Sequence, residues 1–166
     1  FKMIFDENGA SSLEWYQKEF SPGLTILELL QKADLVEPGS EGLIAKPCAC
    51  KYPLLSGFLN IKPFHGHGHF IRALLESTAF SLLKLMDKIN DLSVPEEIGS
   101  TGGGARSSLW IKIKADMLGT GFYVPECRET ACLGAAMLGA VYSGETGDSN
   151  ETMAVWIKGK EIVKPS

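Results

Sequence analysis

The chain has 166 residues, 45% hydrophobic and 22% charged, with a net charge of −4. That is enough chain for one soluble domain with a sizeable core, and the mildly acidic balance argues against broad attraction to nucleic acid or an anionic membrane. No apolar run reaches the roughly 18 residues of a membrane span, and no secretory leader is laid out at the N-terminus.

The elements follow in chain order. Lys2–Phe5 predicts a short strand. Asn8 to Phe20 predicts a helix capped by Asn8, with Leu13, Tyr16, Gln17 and Phe20 along one side. Pro22-Gly23 ends it, and Leu24, Ile26, Leu27 and Leu30 set a second helical rhythm to Ala33. Pro38-Gly39-Ser40 is a turn. A buried strand is expected over 42–46, stopped by Pro47, then an irregular stretch over 48–56 and a strand over 58–61. A long helix from Gly68 to Asn90 is apolar on most of its surface, which predicts a central position between layers. Ile98–Thr101 is a strand, Ser107–Leu118 a helix with Leu109, Trp110, Ile113 and Met117 at core spacing, and Gly119 its left-handed cap. Phe122–Val124 is a strand and Ala131–Tyr142 a helix rich in small residues. Strands alternating with helices argue for α/β architecture with parallel pairing. With no internal repeat and no low-complexity linker, residues 1–166 read as a single domain.

Four cysteines are present. Cys48 and Cys50 are too close for an ordinary disulfide and wrongly spaced for a C-x-x-C knuckle. Cys132 falls at an apolar helix position, as a small buried hydrophobe would. A reducing, cytoplasmic compartment is the simplest reading.

The most informative stretch is Gly102-Gly103-Gly104-Ala105-Arg106-Ser107-Ser108. A strand that ends in glycines and opens a helix leaves bare backbone and amide N–H groups toward a ligand. The helix dipole there favours negative charge, phosphate above all. No Gly-Lys-Ser/Thr follows, so this is not a P-loop, and Ser107 stands where a dinucleotide fingerprint needs its third glycine. A tight turn without any ligand is the competing reading.

From Gly102 onward the chain resembles the C-terminal domain of the FGGY carbohydrate kinases, the family of xylulose, ribulose, rhamnulose, gluconate and glycerol kinases. The matching pieces are Gly102–Ala105, Trp110, Ala115-Asp116, Leu118-Gly119, Val124-Pro125-Glu126 and Cys132-Leu133-Gly134-Ala135-Ala136. Upstream, His69-Phe70-Ile71-Arg72-Ala73-Leu74-Leu75-Glu76 is similar to the family's long helix, and Gly9–Trp15 to the helix that opens its domain. The resemblance implies a ribonuclease-H-like, actin-like ATPase fold with a central mixed sheet and helices on both faces. It also implies that the chain, which starts at Phe1, is the C-terminal half of a two-domain kinase lacking its N-terminal domain.

The resemblance further implies transfer of the ATP γ-phosphoryl group to a sugar or polyol hydroxyl. In the family, Mg2+, the catalytic Asp and the sugar pocket belong mainly to the N-terminal half. Gly102, Gly103, Gly104 and Ala105 would approach the adenosine and ribose, and Ser107 or Ser108 would bond base or ribose. No catalytic and no metal-ligating residue is expected here, and the fragment alone is expected to be inactive. Sugar, ATP and the N-terminal domain in cis are the implied partners; family members often pair into homodimers, and no stripe in this sequence decides that. The chain departs from the family at 46–57, which is short and lacks the Trp, Asp and Arg of a loop that comes close to the phosphates. A non-catalytic nucleotide-binding or regulatory module of the same fold is therefore the alternative.

Three further features carry less. The small residues of 133–140 would let that helix approach a neighbour closely. His65, His67 and His69 alternate with glycines and lead into the long helix, a polar loop rather than a metal site. Glu126 and Glu129 bracket Arg128 ahead of a helix, where acidic groups suit the dipole.

Overall fold

The computed structural model describes residues 9–88, 95, 97–127, 129–157 and 159–166. The strand expected over Lys2–Phe5, the Asn8 cap, the helix end near Asn90 and Arg128 lie outside these residues.

Helix α1 (Ser11–Phe20) starts without a side-chain cap. Helix α2 (Ile26–Asp34) starts on a capping box formed by Thr25 and Glu28. Glu28 N–H donates to Thr25 Oγ1 at 3.2 Å, and Thr25 N–H donates to Glu28 Oε2 at 2.7 Å. Two orphan amides are thereby satisfied at once. The backbone hydrogen bond from Thr25 holds the Glu28 carboxyl below its ordinary range.

The buried strand expected over 42–46 is only β1, Ile44–Ala45, and Ile44 is exposed. It pairs antiparallel with β2, Phe58–Leu59, as a separate ribbon. The ladder cannot lengthen, because Pro47 has no N–H and the chain turns into a tight 3₁₀ coil at Ala49–Lys51. Gly57 lies so close to this coil that a Cβ would fall 2.6 Å from the Ala49 carbonyl oxygen.

Helix α3 (His67–Asp87) is central, as its all-round apolar pattern predicts. Phe70 through Leu75 and Ser77 through Ala79 are buried, whereas its last two turns are half-exposed. Gly68 permits close crossing of α2: a Cβ there would sit 2.5 Å from the Lys32 carbonyl oxygen. The Arg72 and Glu76 of the long-helix motif are structural. Arg72 Nη1 donates to Val36 O at 2.6 Å and its Nε to Glu76 Oε1 at 3.0 Å. Glu76 Oε1 in turn accepts from Gly39 N–H at 2.9 Å. One ion pair thus satisfies the carboxyl end of α2 and pins the turn that follows. Above it an aromatic cluster closes the first core, with Phe58 edge-on to Phe70 at 5.0 Å and Tyr16 stacked on Phe70 at 5.6 Å. Burial pushes the Tyr16 phenol well above its ordinary pKa, and its Oη bonds His67 Nδ1 at 3.0 Å.

The second core lies under a three-stranded sheet of order β3-β4-β5, where β3 is Glu97–Gly99, β4 Gly121–Pro125 and β5 Gly159–Val163. β3 and β4 are parallel, joined by α4 (Ser108–Leu118), and Ile111, Ala115 and Phe122 fill the space between helix and sheet. Gly119 ends α4 at φ +64°, the left-handed cap expected of it. Among the described residues the expectation of parallel pairing holds for β3–β4; β5 is antiparallel to β4, which makes the sheet mixed. Helix α6 (Ser149–Trp156) and β5 were not foreseen.

Helix α5 (Thr130–Ser143) corrects two expectations. Cys132 is exposed rather than buried. A Cβ added at Gly134 or Gly139 would meet nothing within 4 Å, so at these two glycines no described neighbour makes the expected close approach, although Ala140 is buried.

Candidate functional site

The carboxyl end of β3 runs through Ser100 and Thr101 into the glycine turn. Gly102 has φ +82° and ψ −167°, a conformation that L side chains resist. Gly103–Arg106 forms one 3₁₀ turn, and Ser107 caps α4 by accepting the Trp110 N–H on its Oγ at 3.2 Å. The amides of Ala105 and Ser107 donate inward, to Gly102 O at 3.2 Å and Gly104 O at 3.4 Å. The turn is therefore self-supporting, with fewer free donors than its glycine content suggests.

The three glycines differ in what the fold requires of them. Gly102 is demanded by its backbone angles. Gly104 is demanded by Trp110, since a Cβ would fall 2.9 Å from indole Cζ3. At Gly103, φ is not positive and a Cβ would meet nothing within 4 Å, so the fold around it does not require glycine.

The turn is a ridge between two grooves. On one side, a groove of about 310 Å³ is lined by Leu13 and Glu14 of α1, Ile26, Leu27 and Leu30 of α2, and Gly103, Gly104, Ser107 and Trp110. On the other, a more polar groove of about 430 Å³ lies at the carboxyl ends of β3 and β4. Ser100, Thr101, Gly102, Ala105, Ser108 and Glu126 are among its lining residues. Open α/β sheets commonly bind ligands at such strand ends. Arg106 borders both grooves.

The six residues singled out from the sequence are thus divided. Gly103, Gly104 and Ser107 face the apolar groove; Gly102, Ala105 and Ser108 face the strand-end groove. Reading the sequence alone overlooks Leu13, Ile26, Leu30 and Trp110 as groove residues, because at helical spacing they look like ordinary core. The triplet periodicity of a 3₁₀ turn, which sends successive residues to different sides, is the signal that could have separated the two sets.

The other candidates are placed elsewhere. His65 Nδ1 accepts from Lys62 N–H at 3.1 Å and His69 Nδ1 from Gly66 N–H at 3.1 Å, so two of the histidines brace the entry to α3. Among the described residues no group of three or more His, Cys, Asp or Glu is arranged to hold a metal ion. Glu126 is exposed in the strand-end groove, and Glu129 stands at the N-cap of α5 without a side-chain cap bond. None of the four cysteines is in a disulfide. No described helix is long and apolar enough to cross a membrane.

Comparison with known proteins bears on the family and the fold. Residues 37–143 match the C-terminal domain of the FGGY family of carbohydrate kinases. An L-fuculokinase of Escherichia coli is 33% identical over 146 residues, which is 86% of this chain and 30% of that kinase. A ligand-bound xylulose kinase from Lactobacillus acidophilus superposes with a TM-score of 0.80 at 20% identity, over 96% of this chain and 34% of that one. Plasmodium falciparum glycerol kinase with ADP superposes with a TM-score of 0.78 at 18% identity, over 93% and 32%. The fold is that of these sugar kinases, the actin-like ATPase fold, and the chain spans about a third of their length.

Proposed function

The chain belongs to the FGGY family of carbohydrate kinases, and from that premise we propose that it is the nucleotide-binding C-terminal half of an ATP-dependent kinase acting on a sugar or polyol hydroxyl. The observation that carries the site is Gly103: bare backbone, not required by the packing around it, at the lip of an apolar groove. A purine has flat apolar faces and a polar edge, which suits Leu13, Ile26 and Leu30 beside Glu14 and a serine hydroxyl. Because Ser107 Oγ accepts the Trp110 N–H, its own hydrogen is available to donate to base or ribose. The ribose then lies along Gly103–Ala105, and the phosphate chain crosses the ridge toward the strand-end groove, past Gly102, Ser108 and the Arg106 guanidinium.

ATP fits this arrangement; Mg2+ fits it poorly. Mg2+ takes oxygen ligands and is commonly shared with substrate phosphates. The strand-end groove supplies one carboxylate, Glu126, among its lining residues. The ion therefore belongs with the phosphates and the N-terminal half, as do the catalytic base and the sugar. This domain contributes orientation and a wall that excludes water when the two halves close, and phosphoryl transfer depends mainly on such positioning and charge stabilisation. Four cysteines outside any disulfide suit a reducing, cytoplasmic setting.

The test has two arms. ATP or ADP should perturb amide resonances of 101–108 in this chain, weakly because half of the cleft is missing, and no perturbation there rejects the adenosine assignment. The 166 residues alone should show no sugar-dependent ATP turnover, while the full-length protein should show it.

One observation favours a second reading, a nucleotide-binding module without phosphoryl transfer. The 46–57 segment is folded onto itself, with Lys46 Nζ donating to Ser56 O at 3.1 Å and Gly57 pressed on Ala49. It presents no aspartate or arginine that could reach a phosphate. Nucleotide binding by the full-length protein with no turnover on any sugar selects this reading.

A further inference from the structure

The indole of Trp110 forms the floor under the glycine turn, and it is 5% exposed. Its Nε1–H donates to Thr78 Oγ1 at 2.8 Å, across from α4 to α3. The Thr78 hydroxyl hydrogen is itself committed, donating to Leu75 O at 2.7 Å. With that hydrogen committed to Leu75 O, the Thr78 oxygen is left as an acceptor, and the indole N–H takes one of its lone pairs. Over the ring lies Lys114 Nζ, 4.6 Å from its centroid. The ring's benzo edge meets Gly104 so closely that a Cβ there would fall 2.9 Å from Cζ3 and 3.2 Å from Cε3. The same tryptophan lines the apolar groove.

We propose that Thr78 and Lys114 are positioning residues for nucleotide binding: they lock the Trp110 indole, and the indole sets how deep the Gly103-Gly104 backbone sits in the groove. Neither residue touches the proposed ligand. This rests on the adenosine reading of the groove and adds a specific cause for its shape. A ring free to tilt would push on Gly104, which has no side chain to buffer it, and would change the groove depth at the position where the purine lies. Burial also lowers the Lys114 pKa.

The experiment uses the full-length protein labelled with 5-fluorotryptophan. Three tryptophans fall in this chain, and a Trp110→Phe sample assigns the Trp110 signal by its loss. Thr78→Val keeps the side-chain shape and removes the acceptor. It should shift the Trp110 fluorine resonance, raise the Kd and KM for ATP roughly five- to tenfold, and leave the KM for the sugar unchanged. Thr78→Ser restores the hydroxyl and should return the ATP constants to within about twofold of wild type. Lys114→Met keeps the stem packing, removes the cation and should weaken ATP by about two- to threefold. If Thr78→Val does not fold, Lys114→Met and Thr78→Ser decide. A shifted fluorine signal with unchanged ATP affinity overturns the proposal, as does an equal rise in the KM values for ATP and sugar. If ATP moves neither the Trp110 signal nor the amides of 103–107 in the wild-type protein, the adenosine reading itself fails. If it does move them and the variants bind ATP normally, the positioning roles alone fail.

Discussion

Helices α3 and α5 are both strongly apolar, yet they are used differently. The first nine residues of α3 from Phe70 bury every side chain except Glu76, which is partly exposed. Helix α5 buries only Met137 and Ala140, and it exposes Leu138 at 69% and Tyr142 at 95%. The difference lies in what surrounds them. α3 has α2, β1 and α4 against it, with Gly68 and Arg72 shaped to those neighbours. The glycines of α5 have no such counterpart among the described residues. An apolar helix is thus a statement about burial somewhere, and only the neighbours say where.

Mutations can break this comparison. Leu74→Ala in α3 removes a side chain that is 1% exposed and should cost about 2–5 kcal/mol in chemical denaturation. Leu138→Ala in α5 should stay within about 0.5 kcal/mol. Equal costs would show that α5 is covered in solution.

The glycine pair sharpens the contrast, because opposite signs are expected. Gly68→Ala should destabilise by about 1–3 kcal/mol, since its Cβ meets the Lys32 backbone at 2.5 Å. Gly139→Ala enters open space within a helix and should stabilise this chain by about 0.5–1 kcal/mol. A stability loss on Gly139→Ala in the full-length protein, against a gain in the isolated chain, would reveal a segment lying on that face.

Thr25→Ala removes one half of the α2 capping box and should lower the melting free energy by about 1 kcal/mol. The smallest effect is the pH dependence. Glu28 and Asp116 both titrate below their ordinary values of 4.5 and 3.8. For Asp116, burial pushes the pKa upward, but hydrogen bonds from Lys112 Nζ and Ser166 N–H, both at 2.7 Å, outweigh it. Groups with depressed folded-state pKa values stabilise above their unfolded values and lose that contribution as pH falls. Stability should therefore decline from about pH 5 downward, and Glu28→Gln should flatten the decline. An unchanged slope in urea titrations at pH 5 and pH 3 would remove Glu28 from the account.

Much of the site was legible because its signals are local. Gly119 as a left-handed cap, the helix start at Ser107-Ser108 and the strand into Gly102 depend on neighbours in sequence. The Thr25-x-x-Glu28 box is equally local. Helix α6 and β5 were harder, since a short helix and an edge strand carry few periodic positions to count. Cys132 is exposed, against expectation, because periodicity names a face without naming what covers it.

From the order of its residues alone, the chain determined its family, most of its helices and the backbone freedom of the glycine turn, because these depend on conformational preference and on spacing along the chain. Tertiary structure decided that the turn is a ridge with two grooves, that Arg72 and Glu76 fasten the end of α2, and that Trp110 lies between Thr78 and Gly104. These follow from contacts between residues some thirty positions apart, and such contacts form only when the helices cross at a particular angle and depth.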